Sequence, residues 1–551
     1  MRKILILAAI LPLLVSCGPG GTNTNSLRTN RPDVERLRAN GKKLRPDVER
    51  LRADVEFIGS DECEGRLPFT RGADRATAYI AQQMEDAGLK PGGDGGTYFQ
   101  SVPVAMIRTE APGSISIKTP AGALPLRKGV DFTAFSKSMQ QTIDIEDAEL
   151  VFAGYGIVAP EYGKNDYEGI TDPQNKIAVV LVNDPGLGTD GDYFRGDAMT
   201  YYGRWTYKLE EGARQGLKGV LIIHDDRGAG YGWSVVCANK VRYDLSEATE
   251  PVLPFSGWLS AEAAKKLLEK CGYDSAELYA SAKQPDFKPF SLDSRLSMTL
   301  TNTIEENTSP NVVGYIKGKT DECIVCSAHW DHLGLLSTPV DGDSVMNGAT
   351  DNGTGVAWLL ETARLLSETG KLRRSVVFLS PTCEEPGLLG SQHYASHPLI
   401  PMEKTVAEIN VDVIPLWGEN NEVTVTGYGV STLEDLLKEV ARDHDRYVMA
   451  DPDAYNGMFY RSDQLPFMRK GVPALFAKGW SDSKEHGKQW SEEMIRRYWA
   501  EVYHKPCDET HPDSDDYSGL IQDVELFADL ILRLANSKIV PEWYPGAEFH
   551  R

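Results

Sequence analysis

The sequence predicts an α/β fold: a mixed, mostly parallel sheet sandwiched between helices, with a second, smaller α/β unit inserted into it. Three observations carry this. After residue 290, short apolar runs of strand length alternate with amphipathic runs of helix length. A separate strand–helix series occupies residues 135–290, and at 551 residues the chain is too long for a single core. Candidate polar site residues fall where expected strands or helices end, the place where open α/β sheets collect ligands.

Taken in order, residues 1–16 read as a signal peptide. Arg2 and Lys3 precede an apolar run from Ile4 to Val15 that is too short to span a bilayer. The ending Leu14-Val15-Ser16-Cys17 resembles a bacterial lipobox, which makes Cys17 the expected lipidation site. The expected destination is therefore export with a lipid anchor. Gly18, rather than Asp, follows the cysteine, which favours the outer membrane. Residues 17–53 form a tether and a duplicated segment, in which Arg31–Ala39 recurs identically at Arg45–Ala53. Each copy places Pro near the first turn of a possible helix.

Residues 54–134 are expected to open the main domain, with a helix over Gly72–Gly88 and a strand over Tyr98–Ile107. In the insert, 135–290, strands are expected at Glu149–Gly156, Lys176–Asn183 and Gly219–His224, with helices at Lys208–Gly216 and Ser260–Cys271. Residues 291–551 complete the main domain. Its strands are expected at 323–328, 375–380, 407–414, 422–426 and 474–477, and its helices at 355–369, 431–444, 492–503 and 519–535.

The formal net charge of −22 excludes a nucleic-acid binder, which needs a basic face. Eight cysteines include Cys17, and the seven that follow it are an odd number. Cys323-x-x-Cys326 has no second such pair, and its apolar surroundings make it a pair of buried strand thiols.

Five segments concentrate His, Asp and Glu: Ser327–Gly334, Ala349–Gly355, Thr382–Gly387, Asn410–Ile414 and Tyr503–Asp508. His329 and Asp331 are two apart on an extended stretch, so they share a side, and Asp331 can orient a metal-binding His329. Asp351, in Ala-Thr-Asp-Asn-Gly-Thr-Gly, sits on a tight turn where a carboxylate can bridge two cations; in isolation the same residues read as a helix cap. Glu384 and Glu385 follow an apolar strand, and their mutual repulsion is relieved if one binds a cation and the other faces its water. Asp412 stands in an apolar strand end, where an unpaired carboxylate is costly. His504 follows an expected helix and says little alone.

Together, in this order, the segments resemble the clan MH zinc peptidases, the group of bacterial leucyl aminopeptidases and glutamate carboxypeptidase. The insert resembles the protease-associated domain, through Gly212–Ile223 and Met199–Lys208. The resemblance implies two zinc ions per chain, with cobalt or manganese as possible substitutes. One would be held by His329, Asp351 and Asp412, the other by Asp351, Glu385 and His504, each keeping a position for water. It implies Glu384 as general base, Asp331 as partner of His329, and Tyr503 as a hydrogen-bond donor to the reacting carbonyl oxygen. Tyr460-Arg461-Ser462-Asp463-Gln464 is similar to a substrate-lining Arg-Ser-Asp-His segment, with Gln464 replacing the His; Arg461 and Asp463 are carried over as substrate contacts.

The implied function is an aminopeptidase that attacks N-terminal peptide bonds with a water between two zinc ions. Its partners would be peptide substrates and a membrane lipid, with no nucleic acid; nothing here sets the oligomeric state. The alternatives are a carboxypeptidase or dipeptidase on the same scaffold, a glutaminyl cyclase, and a non-catalytic transferrin-receptor-like binding protein. Only 47 residues follow His504, too few for the helical dimerisation domain of the carboxypeptidases. The binding proteins lose the ligands that this sequence keeps.

Overall fold

The computed structural model describes residues 44–551 apart from 190, 239–240 and 248–249. The signal segment, Cys17, the tether and the first copy of the repeat lie outside the described residues. The second copy runs into the helix Val48–Ile58, whose first turn is capped by the Asp47 carboxylate accepting from the Glu49 and Arg50 amides. Leu51, Val55 and Ile58 are fully buried in the core shared with the helix Thr354–Ser367. Arg50 pairs with Glu361, and Arg364 with Asp54, across those helices.

At the centre of the main sheet lie four parallel strands: Ser375–Ser380, Cys323–Ser327, Thr405–Asn410 and Ala474–Lys478. All four are buried along their whole length, which explains their continuous apolar runs. Antiparallel neighbours flank them, Phe290–Ile316 on one side and Glu422–Thr426 on the other, with Tyr447–Ala450 parallel to the latter. The sheet is thus mixed and mostly parallel, as expected. Helices Thr354–Ser367 and Ser518–Asn536 supply the large apolar core against it. Among the described residues no helix is long and apolar enough to cross a membrane.

The second unit is built on the parallel strands Thr142–Phe152, Lys176–Leu181, Gly219–Ile223 and Phe255–Leu259. Helices Trp205–Arg214 and Ala261–Lys270 lie near the positions expected for them. Phe132–Phe135 pairs with Phe255–Leu259, and the hairpin Ser114–Arg127 joins at Lys118–Arg295. Of the strands before residue 135, Phe132–Phe135 therefore pairs with a strand of 135–290, and the hairpin touches Arg295 just beyond it. The 27-residue strand Phe290–Ile316 joins both sets of strands into one continuous sheet: its first half pairs with Thr142–Phe152, and its end pairs with Ser375–Ser380. Between these, Phe99–Glu110 runs beside it from Thr301 to Val312.

Two local expectations shift. The strand expected to reach residue 414 stops at Asn410, so Asp412 lies in the turn beyond it, where Val413 takes a φ of 59°. The last helix before His504 ends at Arg497 and continues as one wide turn, Tyr498–Val502. Cys323 and Cys326 are buried strand thiols, and all seven described cysteines are free.

Candidate metal centre

The five segments meet at the carboxyl ends of the parallel strands. His329, two residues past Cys323–Ser327, points Nε2 to 3.4 Å from Asp351 Oδ1 and 3.4 Å from Asp412 Oδ1. Glu384 Oε2 stands 4.0 Å from the same nitrogen. His504 Nε2 lies 3.2 Å from Asp351 Oδ2 and 3.2 Å from Glu385 Oε2. Asp351 therefore offers one oxygen to each histidine, the disposition of a carboxylate shared by two cations.

The buried atoms themselves test whether cations fit. His329 Nε2, Asp412 Oδ1, Glu385 Oε1 and His504 Nε2 are buried and make no hydrogen bond. Four buried donor atoms with no hydrogen bond, held only by the charges facing them, would be costly in a finished protein core. His and carboxylate donors are also the set that suits zinc and related divalent ions. In the absence of cations the histidines take up protons to balance the carboxylates. Burial works against this at His504, yet Glu385 and Asp351 drive its pKa up to about 10. His329 rises well above the usual range, as Glu384, Asp351 and Asp412 outweigh its burial. Burial also opposes ionisation of Glu385, but the His504 and His332 charges bring it down to about 2. The donor set fits a pair of dications.

Several residues hold this arrangement. The Asp331 carboxylate accepts from the Glu384 and Glu385 amides at 3.0 and 3.4 Å, fixing the turn that sends the two glutamates different ways. Its expected partnership with His329 takes another form. The Asp331 backbone carbonyl faces His329 Nδ1 at 3.2 Å, while its carboxylate is 3.9 Å away. Asp508 accepts from the amides of Thr350 and Asp351 at 3.0 and 3.1 Å. Arg66, fully buried, donates to the carbonyls of Trp330, Ile58, Gly348 and Asp351 at 2.7–3.1 Å and also to that of Asn347. It ties the His329 loop to the Asp351 loop. Lys478 Nζ donates to the Asp412 carbonyl at 2.6 Å, and burial lowers its pKa to about 8.

Four of these contributors escaped the sequence reading. His332 is the most direct: its Nδ1 lies 2.7 Å from Glu385 Oε1, and it groups with Asp351 and Glu385 within reach of one cation. A second grouping joins His329, Glu384 and Asp412, which places Glu384 beside the first cation position. The signal for His332 was its spacing, three residues beyond His329 in His-Trp-Asp-His. Arg66, Lys478 and Asp508 have no local signature, because they act on backbone atoms distant in sequence.

The remaining site residues lie around the centre. Burial lifts Glu384 well above the ordinary carboxylate range, against the pull of His329 and with Asp412, Asp463 and Glu385 adding to the rise. The Tyr503 ring stacks on His504 with centroids 3.8 Å apart. Asp463 is fully buried and its carboxylate oxygens make no hydrogen bond; burial raises its pKa to about 6. Gln464 is structural, accepting from Asn410 Nδ2 at 2.8 Å and donating to the Phe459 carbonyl. Arg461 donates to the Asn456 and Ala229 carbonyls at 2.7 and 3.4 Å, and so touches the insert. A cleft of about 1320 Å³ runs from Asp351, Glu384, Asp412 and His504 to the insert residues Trp205 and Tyr231.

Fold and site define a class: an α/β protein whose strand ends gather a histidine–carboxylate centre for two cations, roofed by a second α/β unit. Residues 311–525, which contain all five segments, match the model of Peptidase family M28. Aminopeptidase NAALADL1 of Mus musculus is 35% identical over 140 residues, 23% of this chain and 17% of that protein. Leucine aminopeptidase 2 of Trichophyton equinum is 30% identical over 217 residues, 38% of this chain and 39% of the relative. The chain thus covers less than half the length of these curated relatives. Among solved structures, an aminopeptidase from Aneurinibacillus sp. strain AM-1 aligns with 92% of this chain and 98% of its own, at a TM-score of 0.48 and 19% identity.

Proposed function

We propose that this protein is an exported zinc aminopeptidase, and the observation that carries the reading is Asp351 set between His329 and His504 with one oxygen toward each. His329, Asp351 and Asp412 would hold one zinc ion, and Asp351, Glu385 and His504 the other, with His332 beside Glu385. When bound, such ions polarise a scissile carbonyl and acidify water near neutral pH.

The chain's own groups do the rest. Glu384, placed 4.0 Å from His329 Nε2 and lining the cleft, takes the proton of the attacking water and returns it to the leaving amine. A carboxylate whose pKa burial raises is suited to holding that proton between the two transfers. Asp331 keeps Glu384 and Glu385 on their separate headings through their amides. Tyr503, immobilised on His504, is the donor for the carbonyl oxygen. Arg461 bounds the substrate side of the cleft, and Asp463 is buried behind it.

The insert acts as a protease-associated lid, a reading supported by Trp205 and Tyr231 lining the same cleft as the centre. The signal segment and Cys17 support a lipid-anchored protein at the outer membrane. Replacing Cys17 with Ser and following the protein between membrane and soluble fractions tests that placement. Retention of the variant in the membrane would refute it.

Purified protein should hydrolyse leucyl-p-nitroanilide, lose the activity to a chelator and regain it with zinc. Cleavage of N-acetylated peptides with none of free-amine peptides would refute the aminopeptidase reading and leave a different peptidase on the same centre.

A further inference from the structure

Three arginines line the cleft, of which Arg204 and Arg242 have no part in the reading above and Arg461 has so far only been placed beside substrate. Arg204 precedes the insert helix Trp205–Arg214, Arg242 begins the strand Arg242–Leu245, and Arg461 comes from the main domain. All three line the cleft that holds the metal centre. Arg204 is only 8% exposed, and the other two are half-buried. The Nε of each is buried with no hydrogen-bond partner. Among the described residues, no carboxylate lies within ion-pair distance of any of the three.

Two acidic residues of the same cleft are engaged elsewhere. Asp244 faces Lys137 at 3.6 Å, and Glu210 faces Arg469 at 3.7 Å. Instead of carboxylates, aromatic rings cover the guanidinium groups: Arg461 lies 5.9 Å from the Tyr231 ring centroid and Arg242 4.2 Å from that of Phe135. Arg204 and Arg461 also repel each other, adding to the burial that lowers the Arg204 pKa to about 9. Guanidinium groups stay charged in proteins, so a buried one beside two half-buried ones is costly until an anion arrives.

We propose that Arg204, Arg242 and Arg461 form a carboxylate subsite shared between the insert and the main domain. It selects substrates that carry a carboxylate away from the cleaved bond. Planar guanidinium groups pair with a carboxylate through two parallel hydrogen bonds, which a neutral amide cannot match. The carboxylate can belong to an acidic side chain or to the free C-terminus of a short peptide. This assignment rests on the peptidase reading for its chemistry but not for its charge. Because two of the three arginines belong to the insert, that unit would set specificity as well as cover the site.

The test uses zinc-loaded enzyme and two substrate pairs: glutamyl- against glutaminyl-p-nitroanilide, and Leu-Gly-Gly free acid against its C-terminal amide. At least one acid-over-neutral ratio of kcat/KM should reach about 30, the value of losing one buried charge partner. In Arg204→Met and Arg242→Met that ratio should fall toward one, mainly through KM, and Arg242→Lys should restore part of it. The first pair responding identifies a side-chain carboxylate, and the second a C-terminal one. Ratios near one in the wild type, or ratios unchanged in the Met variants, overturn the subsite. Thermal unfolding separates a structural role: removing an unpartnered buried charge should leave Tm unchanged or raise it, whereas a marked fall in both Met variants overturns the proposal.

If leucyl-p-nitroanilide is not hydrolysed at all, the peptidase reading fails by itself. Calorimetric titration of the chelated protein with Leu-Gly-Gly acid and amide, and with N-acetylglutamate and N-acetylglutamine, then decides the subsite. Preference for either acid, lost in the Met variants, supports it, and no preference overturns it.

Discussion

Two buried clusters of charge stand in this molecule, and they differ in how their atoms are satisfied. In the insert, Lys164 Nζ lies 2.9 Å from Asp166 Oδ1 and donates to the carbonyls of Ala282 and Gln284. The other oxygen of Asp166 accepts the Tyr155 and Ile157 amides at 3.0 and 3.1 Å. Nearby, Lys208 donates to the carbonyls of Asn183 and Tyr202, and Asp184 accepts from Gly186 and Thr200. At the strand ends of the main domain, His329, Asp412, Glu385 and the more exposed His504 turn atoms that make no hydrogen bond toward one another. Burial of charge is common to both clusters. What separates them is the company each charge keeps: backbone carbonyls and amides close around Lys164 and Asp166, whereas in the centre imidazoles and carboxylates face one another.

Substitutions should sharpen that contrast. The largest effect is expected for Glu384→Gln, which keeps the shape but cannot accept a proton: kcat should fall about 1000-fold. Zinc content, measured by elemental mass spectrometry, should stay at the wild-type value. Wild-type activity in this variant would remove Glu384 from the chemistry.

In the closed network, Lys164→Met leaves Asp166 buried without its cation and should cost about 3–5 kcal/mol of stability in urea unfolding. Metal content per folded molecule should not change. The open centre should respond in the opposite way. Asp351→Asn should lower bound zinc from two ions per chain toward none, because both positions share that residue. Its chelated form should unfold within about 1 kcal/mol of the chelated wild type, as one of several crowded carboxylates is lost.

The smallest effect is a pH dependence. The pKa of His504 in the folded chelated protein is about 10, raised from 6.5. Its contribution to stability is therefore complete below about pH 6.5 and is lost as pH rises toward 10. Chelated protein should lose Tm across that window. Zinc-loaded protein should lose less, because the ion replaces the proton, so the Tm gap between the two should widen with pH. A constant gap would contradict the charge balance assigned to the centre.

The parallel strands were legible because each is an apolar run buried on both faces, as in Ser375–Ser380 and Cys323–Ser327. Most metal-binding candidates were legible for a related reason, since a polar residue at the end of such a run has few other uses. Asp412 shows the limit: its role could be read, but the turn at Val413 that carries it past the strand could not. His332 was hidden by its neighbours, as one of two histidines in a four-residue stretch. Arg66 was hidden by its chemistry, because backbone carbonyls carry no sequence. The pairing of Phe132–Phe135 was hidden for a topological reason, because its partner, Phe255–Leu259, comes more than a hundred residues later. The arginine cluster is hidden in the same way, assembled from residues 204, 242 and 461.

The strand Phe290–Ile316 gives the roof a mechanical character. One unbroken backbone serves as inner strand of the insert sheet and then as neighbour of Ser375–Ser380, with Phe99–Glu110 laminated along the middle. Such a girder bends and twists as a ribbon but offers no loose joint. Excising the insert would also strip the flank of the main sheet, so the two units stand or fall as one piece of engineering.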